Sequence, residues 1–178
     1  MKKVLIVGVL LLGAAAAALS VTALQATTGG GNRVVRSVGS ETFRPNARIA
    51  SNLRFIPGDI RIRSGGTLKF QHHDSTQEPH TLSIVDRDEL PGDIEGVFEC
   101  GAPGTVCDDI FTTLGESDNP PRVVEGPGTD AGIDGRLDTL IVFAGESASA
   151  TVTADAGSTL YYLCAIHAWM QGRIVVTN

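Results

Sequence analysis

The stretch Tyr161-Tyr162-Leu163-Cys164-Ala165-Ile166-His167-Ala168-Trp169-Met170-Gln171-Gly172 constrains this chain more than any other. Leu160, Tyr162 and Cys164 alternate with Tyr161 and Leu163, the period of a β-strand, so the Cys164 thiol faces the same side as Leu160 and Tyr162. A thiol, an imidazole and a thioether then recur at every third residue, at Cys164, His167 and Met170. Soft sulfur with imidazole nitrogen suits copper in both of its oxidation states, and two histidines, a cysteine and a weak axial methionine form a blue-copper centre. One strand and its following loop supply three such donors. The second histidine must come from elsewhere in the fold.

Only His72, His73, His80 and His167 are available. In Glu78-Pro79-His80-Thr81-Leu82-Ser83-Ile84, His80 alternates in step with Leu82 and Ile84. That pattern predicts a half-buried strand with His80 on its apolar face, at the end where a loop can lie over it. Alone, His80 reads as an ordinary partly buried histidine; with Cys164, His167 and Met170 it reads as the fourth donor. His72 and His73 are neighbours on a strand and point to opposite faces, so they do not chelate one ion and are expected to be exposed or structural. Asp74 and Glu78 are given no part in the site.

The rest of the chain reads as all-β, in short runs punctuated by Gly, Pro and Asp. Strands are expected over 60–63, 67–71, 81–85, 139–143, 148–153, 160–164 and 173–176, and such spacing predicts a Greek-key β-sandwich. Ahead of it, Lys2 and Lys3 precede an apolar run over 4–19, and Val21-Thr22-Ala23 offers a cleavage site. Residues 1–23 are therefore expected to be a signal peptide, or else a retained membrane anchor. Residues 24–44, which include the Gly-rich stretch 27–32, read as a flexible linker and N-terminal extension. Residues 45–178 make a single domain without internal repeats.

Three cysteines in an exported chain leave one unpaired. Cys100 and Cys107 bracket the turn-forming Gly101-Ala102-Pro103-Gly104-Thr105-Val106 and are expected to form a disulfide. Cys164 is then the odd thiol, a metal ligand or, on the plainer reading, a buried inert cysteine. Between the two halves of the site, residues 86–138 carry 14 acidic side chains against Arg87, Arg122 and Arg136. This segment reads as ordered loops with a short helix, serving as a solvated face or as a docking surface for a basic partner. A net charge of −6 argues against nucleic acid as a ligand.

The C-terminal stretch resembles the copper-binding loop of the cupredoxins, the blue (type 1) copper proteins. Its Cys-x₂-His-x₂-Met spacing is similar to the short loop of amicyanin rather than the longer one of plastocyanin. Phe55-Ile56-Pro57-Gly58-Asp59-Ile60, Ser64-Gly65-Gly66-Thr67-Leu68 and Pro79-His80-Thr81 are similar to the family's upstream signature. The resemblance spans about 45–85 and 138–178, and the acidic segment 86–138 lacks a clear counterpart, reading as an insertion.

The resemblance implies a cupredoxin-like sandwich holding one type 1 copper ion at His80, Cys164, His167 and Met170. It implies that His167 is the ligand nearest solvent, and it places Thr81 either to hydrogen-bond the Cys164 sulfur through its backbone or hydroxyl or to serve only as an ordinary strand residue. Ala168 departs from the proline common after that histidine, which predicts a looser loop. Trp169 is expected either as a lid or as an exposed aromatic at an electron-exchange surface. The implied function is an exported, non-enzymatic carrier of single electrons between redox partner proteins. Its location would be periplasmic, cell-surface or secreted, with membrane contact only if residues 1–23 are retained. The alternative is an extracytoplasmic copper carrier or buffer, although the chain lacks Met-rich or His-rich tracts. A multicopper enzyme needs histidines beside the cysteine, where this chain has Leu163 and Ala165. A metal-free adhesion sandwich is the structural alternative.

Overall fold

Alternating apolar residues become strands at each place where the sequence carries them. The computed structural model describes residues 31–115, 119–128 and 131–178; the apolar run, the cleavage site and most of the Gly-rich stretch lie outside these. In chain order the strands are β1 (Asn32–Val38), β2 (Glu41–Arg44), β3 (Arg48–Ser51), β4 (Arg54–Ile56), β5 (Asp59–Arg63), β6 (Thr67–His72) and β7 (His80–Val85). A helical turn (Arg87–Glu89), helices α1 (Ile94–Glu99) and α2 (Val106–Leu114), and strand β8 (Val123–Val124) follow. The C-terminal part supplies β9 (Thr139–Val142), β10 (Ser147–Thr151), β11 (Thr159–Leu163) and β12 (Gln171–Thr177).

Two sheets, ordered β10-β6-β1-β4 and β5-β12-β11-β7-β9-β8, form a Greek-key sandwich. Their facing sides bury Val35, Leu68 and Phe70 from the first sheet against Leu82, Ile84, Tyr162 and Ile174 from the second. Phe55, Phe70 and Tyr162 meet ring to ring, with centroids 5.7 and 5.1 Å from Phe55. Gly172 lets Tyr162 lie across β12, because a Cβ there would collide with the Gly58 carbonyl and the Tyr162 ring.

Two expectations need correction. Asn32–Val38 is not linker: β1 lies inside the first sheet, parallel to β6, with Val35 opposite Phe70. Adjacent Val34 and Val35 and a buried Ser37 blur its alternation, which hid the strand. Beyond it, β2 and β3 pair as a projecting arm, with Phe43 opposite Ile49 at 71 and 77 % exposure.

The second correction concerns β7, which is buried along its whole length rather than half-buried. Its outer face is covered by segment 86–138. There α2 sets Val106, Cys107, Ile110 and Leu114 against Val85, Ile141 and Leu163, creating a second core on the back of the sheet. The polar side chains caught in this layer bond one another, Thr139 to Ser83 at 2.9 Å and Ser83 to Thr81 at 3.1 Å. Burying them therefore leaves no orphaned hydroxyl to offset the apolar gain.

Local chemistry holds this segment in place. Asp93 caps α1 through the Gly96 amide and Thr105 caps α2 through the Asp108 amide. The expected Cys100–Cys107 disulfide is present and ties the end of α1 to the first turn of α2. Arg136 pairs with both Glu89 and Asp109. The buried Asp138 carboxylate accepts from the Gly126, Asp134 and Gly135 amides, fixing the return of the chain into β9.

Replacing Ile110 by Ala removes the fully buried centre of the outer core. The expected cost is about 2–5 kcal/mol, read by chemical denaturation of the copper-free protein. A change under ~0.5 kcal/mol would show that this layer is not a true core.

Candidate metal centre

Antiparallel pairing of β11 with β7 places Leu163 opposite Ser83, which brings the next residue, Cys164, over the start of β7. The loop then closes on itself: the Cys164 amide donates to the Met170 carbonyl at 3.0 Å, and the Met170 amide to the His167 carbonyl at 2.7 Å. The side chain of Gln171 donates to the Ala168 carbonyl at 3.0 Å and to the Pro91 carbonyl at 2.9 Å, clamping the position where a proline was missed. The loop is pinned without the proline.

The donors converge. Cys164 Sγ lies 3.7 Å from His80 Nδ1 and 3.8 Å from His167 Nδ1. All three ligating atoms fall within 4.8 Å of one another. Met170 is buried in the same apolar cluster as Cys164. His80 and Cys164 are 0 % exposed, Met170 1 % and His167 4 %.

The electrostatics fit a soft cation. Burial pushes the Cys164 thiol up, against a hydrogen bond from the Thr81 amide to the sulfur at 3.4 Å. A thiolate in such a place requires a positive charge beside it, which a metal supplies. Burial lowers the His80 pKa to about 4 despite the nearby Asp74 carboxylate, leaving the neutral imidazole that a metal binds. The Thr81 hydroxyl accepts from the Ala165 amide at 2.9 Å, so Thr81 holds both the sulfur and the strand's exit into the loop.

Each imidazole turns its other nitrogen toward a carboxylate, and sequence reasoning missed both. Asp74 Oδ2 lies 2.9 Å from His80 Nε2, a close polar contact set off the line of a straight hydrogen bond. Glu78 Oε2 lies 2.8 Å from His167 Nε2. Burial raises the Asp74 pKa, but hydrogen bonds from the Ser37 hydroxyl (2.6 Å) and from the Thr76 amide and hydroxyl outweigh it, so the net shift is downward. Such outer partners fix ring orientation and raise ligand basicity. The signal available in sequence was a polar turn, Asp74-Ser75-Thr76-Gln77-Glu78, directly ahead of Pro79-His80.

The remaining candidates divide. His73 is exposed, and His72 is buried with its Nε2 3.0 Å from the Glu78 carbonyl, a structural role. Trp169 is both lid and surface: it meets His167 edge-on at 5.2 Å, donates its indole N–H to the Leu53 carbonyl, and stays 42 % exposed. His167 is the most exposed of the four expected ligands, yet Glu78 and Trp169 cover its edge.

A buried thiol facing two imidazole nitrogens, with a methionine closing the loop, is the donor set of one type 1 copper ion. The chain resembles the cupredoxins. No protein-family model matches it, and no curated protein matches it. Among solved structures it is similar to a dithionite-reduced auracyanin from Roseiflexus castenholzii at 16 % identity, covering 84 % of this chain and 99 % of that one (TM-score 0.45). It is also similar to a purple cupredoxin from Nitrosopumilus maritimus at 13 % identity, covering 80 % and 98 % (TM-score 0.40). An amicyanin variant in the Cu(I) state matches at 15 % identity over 82 % of each chain (TM-score 0.39). Likenesses this distant do not carry the copper assignment, which rests on the cupredoxin-like donor set itself.

Asp74→Asn keeps the shape of the His80 brace and removes its charge. Copper(II) affinity should fall about 10–100-fold in a chelator competition. Unchanged affinity would refute the brace.

Proposed function

We propose that this chain is a blue copper protein carrying single electrons between redox partners, with His80, Cys164, His167 and Met170 as its copper ligands. The observation that carries the reading is the Cys164 sulfur held between two imidazole Nδ1 atoms in a site almost closed to water. Copper there supplies a one-electron Cu(II)/Cu(I) couple. The chain's own residues do the rest: Thr81 orients the sulfur, Asp74 and Glu78 orient the rings, and the apolar walls exclude water. Donors packed this tightly have little freedom to rearrange when the charge changes, the condition that favours rapid exchange.

We take residues 1–23 to direct export, whether cleaved or retained as an anchor. Among the described residues no helix is long and apolar enough to cross a membrane. The reading involves no substrate and no catalytic step. A copper carrier handing on its ion is the second reading, but ligands at 0–4 % exposure favour retention. Transfer of copper to an acceptor chelator should therefore be much slower than electron exchange.

Copper-loaded protein should show an intense visible thiolate-to-copper absorption and a matching EPR signal, both abolished by Cys164→Ser. A colourless Cu(II) protein would reject the proposal.

A further inference from the structure

We infer that electrons cross at an apolar face made by Trp169 with α1 and α2, and that this face receives a redox protein whose own apolar patch is ringed by lysine or arginine. The inference rests on the copper reading above and names the partner class for that site.

The loop histidine does not itself present an edge to a partner. His167 is 4 % exposed, and its Nε2 is engaged by Glu78 at 2.8 Å. The exposed π-system in contact with it is Trp169, edge-on at 5.2 Å between centroids. Beside the indole opens a hollow of about 360 Å³, lined by Val97, Phe98, Phe111, Ile166 and Trp169. It exposes Phe98 at 82 % and Phe111 at 41 %, and Ile94, 57 % exposed, lines an adjoining hollow that shares Val97 and Trp169. Large apolar side chains left outside two well-filled cores, grouped against the metal loop, mark a contact surface.

Charge selects the occupant. Around this face Asp88, Asp93, Glu95 and Glu99 are exposed and lack a cationic partner among the described residues. The segment's arginines are committed elsewhere: Arg122 to Glu146, Arg136 to Glu89 and Asp109, and Arg87 over the Tyr161 ring. An acidic rim repels a second copy of the same face and attracts a basic one. The arm residues Phe43 and Ile49 form the other exposed apolar pair, but Arg44 and Arg48 flank them, so they select the opposite charge. In the transfer one electron leaves the reduced protein and reduces the partner by one, with no bond made or broken and no proton moved.

The test uses the full chain, loaded with copper and reduced, against a ferric cytochrome c whose haem edge is ringed by lysines. The second-order rate should fall as salt rises. The double variant Phe98→Ser/Phe111→Ser and the single variant Trp169→Leu should each slow it by about tenfold, the scale of a contact hot spot. The double variant's visible band and reduction potential should stay at the wild-type values. Trp169 is the chain's only tryptophan, so in the copper-free protein its fluorescence should be quenched when the haem protein docks, and the double variant should lose this quenching. Wild-type rates in both variants, or a loss confined to Phe43→Ser/Ile49→Ser, would overturn the inference. The fluorescence titration needs no copper, so an absent visible band would sink the copper reading while the docking face was still decided separately.

Discussion

The meeting of the Cys164 sulfur with the start of β7 is the contact on which this structure turns. It joins the last two strands of the chain to one formed more than eighty residues earlier, across separations of 83 and 84 residues. The backbone of Thr81 reaches the sulfur, its hydroxyl holds the next amide of the loop, and the imidazole of His80 faces the same atom. A thiol in so dry a place is held neutral by burial, so the arrangement becomes electrostatically coherent when a cation joins it. A copper ion held by His80 and Cys164 would couple its binding to the pairing of β7 with β11, because the two side chains sit at the ends of those strands.

Around that contact the chain builds two cores instead of one. The inner core lies between the sheets, as any sandwich requires. The outer core exists because segment 86–138 returns across the back of the six-stranded sheet and packs α2 on β7, β9 and β11. Its apolar layer includes Ala165 and Ala168, so the copper loop is supported from behind as well as from below. Asp88, Asp93, Glu95 and Glu99 of the same segment stay exposed on its outside. One stretch of chain thus stiffens the loop and sets the electrostatic field in front of it.

Two carboxylates bearing on the imidazoles add anionic charge to a site whose Cys164 would become a thiolate on binding a cation. Asp74 is the buried one and is fixed by three hydrogen bonds from Ser37 and Thr76; Glu78 is half-exposed and stands at the mouth. Negative charge near a bound ion would favour the more highly charged copper state, so these residues would bear on the equilibrium between oxidation states as well as on ring orientation. Trp169 completes the enclosure while leaving part of its indole in solvent, which separates the donors from water without separating them from a partner.

The sequence by itself determined the local features: the strands with regular alternation, the inward aim of Cys164, the disulfide and the donor types, because period and spacing are properties of adjacent residues. It did not disclose β1, whose paired valines and buried serine gain their places only from the neighbours on either side. Nor did it show Asp74 and Glu78 bearing on the imidazoles, or the burial of β7 on both faces. Those depend on which segments the fold stacks together, and a carboxylate in a polar turn looks the same whether it faces water or an imidazole. Tertiary packing decided them, because burial and charge environment belong to the space between elements and not to any one stretch of chain.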